Sequence, residues 1–304
     1  MESQSGLQSK KSTLNDLLKI LLIYFFLPFY TADAIAMPVG PSPLTTLKPD
    51  IIGGHPADES NNLWQAALVY SSLPRVDGLF CGATFIDAKW LLTAAHCFYN
   101  PNTCERALQL KDFYVAHGSV ILNKSIELET AVDIFFAPGW DCKTRRDDVA
   151  LIKLREPIGT QIVRLADESL PPSYLKKGAS AWVVGWGITE KGARSAELME
   201  SKIKIADLSS CKSAYKEELP EKTFCAGDTI HDTCTGDSGG PLFARTETNQ
   251  AIQMGIVSFG RGCAKEGFPG VYSRVTDHLP WIRKTSTSSP AAICSPGDVH
   301  AERC

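Results

Sequence analysis

Asp232-Thr233-Cys234-Thr235-Gly236-Asp237-Ser238-Gly239-Gly240-Pro241 is the most informative stretch of the chain. A serine set among glycines has two readings. One is a glycine-rich hairpin turn, because glycine accepts backbone conformations closed to other residues. The other is a nucleophile. A serine hydroxyl is weakly nucleophilic near neutral pH and needs an adjacent base. Acyl transfer also needs backbone N–H donors aimed at the oxygen that becomes negative. Glycines beside Ser238 let the chain turn tightly and present such donors.

Outward from this stretch, short runs of β-branched, aromatic and aliphatic residues recur at 65–70, 84–86, 113–116, 149–154, 181–184, 255–259 and 270–275. Gly, Pro, Asn and Asp punctuate them. That spacing predicts an all-β antiparallel barrel or sandwich rather than βαβ units. Residues 277–284 read as a short helix with Asp277 as N-cap and Pro280 in its first turn. Residues 285–304 are rich in Ser, Thr and Pro and read as an irregular tail.

Composition narrows the class. Hydrophobic residues make up 44% of the 304, enough for a sizeable core, and charged residues 21%. The formal net charge of -3 leaves no electrostatic footprint for nucleic acid or anionic lipid, so neither is expected as a partner. Ten cysteines, an even number and none in a CxxC pattern, point to disulfides in an oxidising compartment. Lys10, Lys11 and Lys19 precede an apolar run at 20–30, and Ala34-Ile35-Ala36 has the A-x-A form of a signal-peptidase site. The run is short for a bilayer span. Residues 1–36 therefore read as a cleaved signal peptide, with an uncleaved signal anchor as the alternative, and the proline-rich residues 37–50 as a pro-segment. The expected location is extracellular, or periplasmic in a bacterium, without stable membrane association.

Two further pieces carry chemistry. Thr93-Ala94-Ala95-His96-Cys97 places a histidine among small residues. That suits a general base, and equally a satisfied core histidine. Asp147-Asp148-Val149-Ala150-Leu151 brings an acid into an apolar strand, where it is costly to bury without a partner. It can orient a histidine, or be an ordinary loop acid.

TAAHC, DDVAL and GDSGGP, in the order His, Asp, Ser, together resemble the chymotrypsin/trypsin family, and the resemblance runs over 51–284. It implies two six-stranded antiparallel β-barrels, a short C-terminal helix, and a cleft between the barrels holding a Ser-His-Asp triad. Carried over, Ser238 is the nucleophile, His96 the general base and then acid, and Asp148 the orienting carboxylate. Asp147 is the competitor, but the family's acid stands directly before the apolar triplet. The amides of Gly236 and Ser238 form the oxyanion hole, and Ser258 borders the buried acid. Phe259 stands where relatives usually have Trp.

The same resemblance implies specificity and activation. Asp232 sits where trypsin-like members carry the acid at the base of the primary pocket, which favours Arg or Lys. Gly260 and Gly270 leave room in that pocket, and Thr233 replaces the commoner Ser or Ala. Ile51-Ile52-Gly53-Gly54 resembles the N-terminus freed when the zymogen is cut, whose amine pairs with Asp237. The preceding residue is Asp50, where most relatives have Arg or Lys, so a separate activating protease is expected. Implied disulfides are Cys81–Cys97, Cys211–Cys225 and Cys234–Cys263. For the remaining four cysteines, Cys104–Cys142 and Cys294–Cys304 are the preferred pairs. Ala181 and Ala244 stand where another common disulfide would be. Asn123-Lys124-Ser125 is a glycosylation acceptor sequence. Glu127 and Glu129 lie near a calcium site of some relatives but read as a solvated face, so neither metal nor other cofactor is expected. The expectation is a secreted serine endopeptidase made as a zymogen, acting on proteins or peptides with Arg or Lys at the cut. The rival is a catalytically silent homologue that serves as a binding protein.

Overall fold

The computed structural model describes residues 54–73, 75–189 and 191–287. The signal-peptide and pro-segment readings, Ile51, residues 288–304 of the tail and Cys294–Cys304 lie outside the described residues, while residues 285–287, read as the start of an irregular tail, belong to the last helix. In chain order the strands are β1 (His55–Pro56), β2 (Gln65–Tyr70), β3 (Leu79–Asp87), β4 (Trp90–Thr93), β5 (Phe113–His117), β6 (Glu127–Glu129), β7 (Ala131–Phe136) and β8 (Ala150–Leu154). They continue with β9 (Arg164–Leu165), β10 (Ser180–Gly185), β11 (Met199–Lys204), β12 (Thr223–Ala226), β13 (Pro241–Arg245), β14 (Ala251–Phe259) and β15 (Gly270–Arg274). The helices are α1 (Leu208–Tyr215) and α2 (Val275–Thr287).

The first sheet runs β6-β5-β2-β3-β4-β8-β7, antiparallel throughout. β6 and β7 are consecutive and separated only by Thr130. They act as one bent strand whose first part pairs with β5 and second part with β8, which closes the sheet on itself. The second sheet runs β1-β11-β10-β13-β14-β15-β12. An isolated bridge, Ile205 to Ala226, connects the end of β11 to β12 and closes the other side. The two-residue β1 and the two-residue β9, which lies parallel to β14, are additions to a six-stranded plan. The result is the double antiparallel β-barrel with a short C-terminal helix.

Side-chain alternation shows why the halves adhere. Successive strand residues face opposite sides. In β2, Ala66 and Leu68 enter a cluster with Phe85, Phe113 and Val115 inside the first barrel. Ala67 and Val69 face the other way and pack with Trp64, Val184, Trp186 and Phe243, which join the first barrel to the second. Both faces of β2 are buried, so it reads as a continuous apolar run. Each large side chain fully buried in these clusters contributes about 1.5–3 kcal/mol.

α2 starts two residues earlier and ends three later than the 277–284 read from sequence. Val275, Leu279 and Ile282 recur at helical spacing and are buried, which draws the start of the helix back onto the core. Val275 and Ile282 pack into the first barrel's cluster, although α2 follows the second barrel in the chain. Asp277 is thus not the N-cap. It lies in the first turn and accepts from Arg274 Nη1 at 3.0 Å. Pro280 falls beyond the first turn.

Disulfides join Cys81 to Cys97, Cys104 to Cys142, Cys211 to Cys225 and Cys234 to Cys263. Among the described residues no helix is long and apolar enough to cross a membrane.

Candidate active site

His96 sits in a short 3-10 turn, Ala95–Phe98, directly after β4. Ala94 and Ala95 are fully buried, so only small side chains fit as the turn enters the core. Asp148 precedes β8, the strand paired with β4, and this brings the two residues together across 52 positions of sequence. Asp148 is 0% exposed and accepts from the His96 backbone N–H at 2.8 Å. Its other oxygen lies 2.7 Å from His96 Nδ1 and also accepts from the Ser258 hydroxyl. Burial would raise the pKa of Asp148, but the facing His96 and the hydrogen bonds from His96 and Ser258 outweigh it and hold the carboxyl below its ordinary value. An ionised acceptor at Nδ1 places the ring proton there and leaves Nε2 with its lone pair.

Asp147, the competing acid, points elsewhere. It has a positive φ of 50° and accepts from Lys222 Nζ at 2.8 Å. The same oxygen lies 2.9 Å from His278 Nε2 on α2. Its burial is again outweighed, here by Lys222 and His278, and its pKa is lowered. His278 Nδ1 is 2.8 Å from the Arg274 backbone oxygen. Asp148 is therefore flanked by a residue tied to α2 and to Lys222, which directly precedes β12.

Ser238 is half-buried on the loop before β13. Its backbone oxygen accepts from Gly82 N–H at 2.7 Å. Gly239, at φ +77°, lies so close to the histidine segment that a Cβ would fall 2.3 Å from Thr93 Oγ1 and 3.1 Å from the Ala94 nitrogen. Gly236, at φ +103°, has its Cβ direction blocked 2.9 Å away by Gly187 Cα. These two contacts are why the serine is set among glycines. Among the described residues, the N–H groups of Gly236 and Ser238 have no backbone acceptor.

Asp232 and Asp237 are both buried. Asp232 accepts from Thr233 N–H at 2.9 Å and Ala264 N–H at 2.8 Å. A Cβ on Gly270 would stand 3.0 Å from its Oδ1, and one on Gly227 2.9 Å away, so both glycines hold space open around the carboxylate. Gly260 opens toward Gly262 and Gly270. Thr233 Oγ1 is 3.2 Å from the Tyr272 hydroxyl. Phe259 packs edge-on against Tyr215, ring centroids 5.6 Å apart, and so keeps an aromatic wall. Gly227, Tyr272 and the Ala264 amide escaped the sequence reading. Only the Cys-Ala-Gly-Asp turn at 225–228 hinted at the first.

Asp237 accepts from Gly187 N–H and Cys234 N–H, each at 2.9 Å. No described cation faces either acid. Burial pushes Asp237 up to about 6 and Asp232 up to about 7, the latter only partly offset by its two amide bonds. Both values lie above the 3.8 of an exposed aspartate. A carboxyl shifted upward on folding stabilises the fold fully below its unfolded pKa and loses that contribution as pH rises through the folded one. These two carboxyls therefore make stability fall from pH 4 to 7, against a smaller rise from His117, whose pKa burial lowers. Asp148 and Asp147, shifted the other way, titrate below this window. Asp237→Asn should remove about 3 kcal/mol of that decline, at about 1.4 kcal/mol per pH unit. Urea midpoints across the range check this, and an identical decline in the variant would contradict it.

The model of the Trypsin family matches residues 51–282. Phenoloxidase-activating factor 3 of Holotrichia diomphalia is 32% identical over 251 residues, covering 77% of this chain and 72% of that protein. The family match and the double β-barrel agree: the chain belongs to the trypsin family of serine peptidases.

Proposed function

We propose that the protein is a secreted endopeptidase, made as a zymogen, that cleaves after Arg or Lys through an acyl-enzyme on Ser238. The observation that carries this is the bonding of His96 to a fully buried Asp148, on a segment packed against the glycine turn of Ser238. In this reading His96 Nε2 takes the Ser238 proton as Oγ attacks the carbonyl carbon. The N–H groups of Gly236 and Ser238 hold the oxyanion, and His96 then protonates the leaving amine. Water repeats the sequence to release the acyl group. Asp148 keeps the imidazole in the productive tautomer and stabilises its charged form, while Ser258 helps to hold Asp148.

Specificity rests on Asp232. Burial raises the Asp232 carboxyl, and an arriving guanidinium or ammonium would supply a cation to face it. Asp237 has the same need, which the amine freed at Ile51 would meet. Cutting there places Asp50 in the attacking protease's pocket. This enzyme's own Asp232 would repel it, so activation falls to a separate protease. The likeness to a protein named for phenoloxidase activation supports protein substrates cut at a few sites rather than general digestion.

The test is cleavage of a peptide library by chain processed to begin at Ile51. Cuts confined to bonds after Arg and Lys are expected. Cleavage after other residues would refute the specificity, and binding without cleavage would favour a silent homologue.

A further inference from the structure

We propose that Arg194 selects substrates with a carboxylate within the first two residues on the leaving-group side of the cleaved bond; this rests on the protease reading above. Arg194 lies on the loop between β10 and β11. Its Nη1 donates to the Asp77 backbone oxygen at 3.1 Å, which pins the side chain across to the segment entering β3. Its Nε is buried and has no hydrogen-bond partner among the described residues. That nitrogen stands 3.8 Å from where a Cβ on Gly236 would be, and Leu79 Cδ2 lies 3.5 Å from the same point. Gly236 supplies one of the two oxyanion amides in the proposed mechanism. The guanidinium is thus held beside the reacting carbonyl.

The side of the cleft follows from the neighbours. The Asp232 pocket is bounded by Gly270, Tyr272 and the Ala264 amide, on and next to β15. Arg194 approaches Gly236 beside Leu79 and toward Asp77, none of which is among the neighbours of Asp232 just named. A substrate whose Arg or Lys enters the Asp232 pocket runs its leaving half out past Arg194. Arginine does not shed its charge at any working pH. A carboxylate offsets that charge and accepts from the guanidinium N–H groups that the Asp77 oxygen and the buried Nε leave available. The Asp77 oxygen engages one end of the guanidinium and fixes its plane, so the free edge is already oriented for a side chain arriving from the substrate.

Peptides sharing one arginine at the cut, with Asp, Glu, Ala or Lys at the first or second following position, test this in mature enzyme. The acidic-to-basic ratio of kcat/KM should be on the order of ten. It should fall to about one in Arg194→Ala and invert in Arg194→Glu. Each ratio is taken within one enzyme, so a general loss of activity cancels. A flat ratio in the unaltered enzyme, or the same ratio in Arg194→Ala, overturns the inference. A short anilide ending at arginine has no residue on the leaving side. Its turnover with a flat ratio would sink this inference alone, whereas no turnover would sink the protease reading and this inference with it.

Discussion

Ser238→Ala is expected to lower kcat by roughly 10⁵–10⁶-fold, with His96→Ala close behind and the double variant little worse. The reason is that neither residue has an independent task. His96 is oriented by two bonds to Asp148, through its backbone N–H and its Nδ1, and this leaves Nε2 as the only ring nitrogen able to accept a proton. Without Oγ there is nothing for that nitrogen to activate. Without the imidazole, the hydroxyl keeps the weak nucleophilicity of an ordinary alcohol. The residual rate comes from the oxyanion amides and substrate binding, which both variants retain. Steady-state kinetics on processed enzyme decide the matter. Losses that multiply in the double variant would mean that the two side chains act separately.

Asp232→Ser is expected to cost Arg and Lys substrates about 2–5 kcal/mol of transition-state binding, roughly 30- to several thousand-fold in kcat/KM. A cation entering the variant pocket would lose its water without gaining a charge partner. The amides of Thr233 and Ala264, which now face a carboxylate, would face a hydroxyl instead. Ser238 should still react with a small neutral acylating agent, because the hydrogen-bond partners of Asp232, Thr233 and Ala264, differ from those that hold His96. In the unaltered enzyme, affinity for an arginine-like amidinium should rise as pH approaches about 7, where the buried Asp232 carboxyl ionises. An undiminished Arg preference in the variant would remove Asp232 from the pocket.

The parts of the fold legible in sequence were those where local pattern and tertiary environment agree. Residues 65–70 stand out because both faces of β2 are buried and turn residues flank it. Residues 84–86 were only the end of β3, which begins at Leu79 and passes through Cys81 and Gly82. The glycine there reads locally as a break. In the fold it is where the strand meets the Gly240 backbone, 3.0 Å from a Cβ on Gly82. α1 was not read at all. Its cap, Asp207, accepts from Ser210 N–H at 3.1 Å, yet only Cys211 and Tyr215 are buried in eight residues, too few to show a period. β1 and β9 are two residues each and exist through their partners. In the candidate site, residues carried by compact motifs were legible. The Lys222–Asp147–His278 contact was not, since it spans 131 positions of sequence and, although Asp147 stood out as a competing acid, nothing local pointed to Lys222 or His278.

That contact bears on the order in which the enzyme can be completed. A chain emerging from the ribosome tends to fold from its N-terminal end. The first barrel's strands are all made by Leu154, yet its cluster lacks Ile256, Val275 and Ile282 until α2 has emerged. Asp147, next to Asp148, lacks His278 until the same moment. A chain cut short before α2 would contain His96, Asp148 and Ser238, with one of the two ties on Asp147 missing and the first barrel unsealed. Synthesis through α2 thus becomes a condition for fixing Asp148, and nascent or truncated chains are held back by the same helix that seals the first barrel.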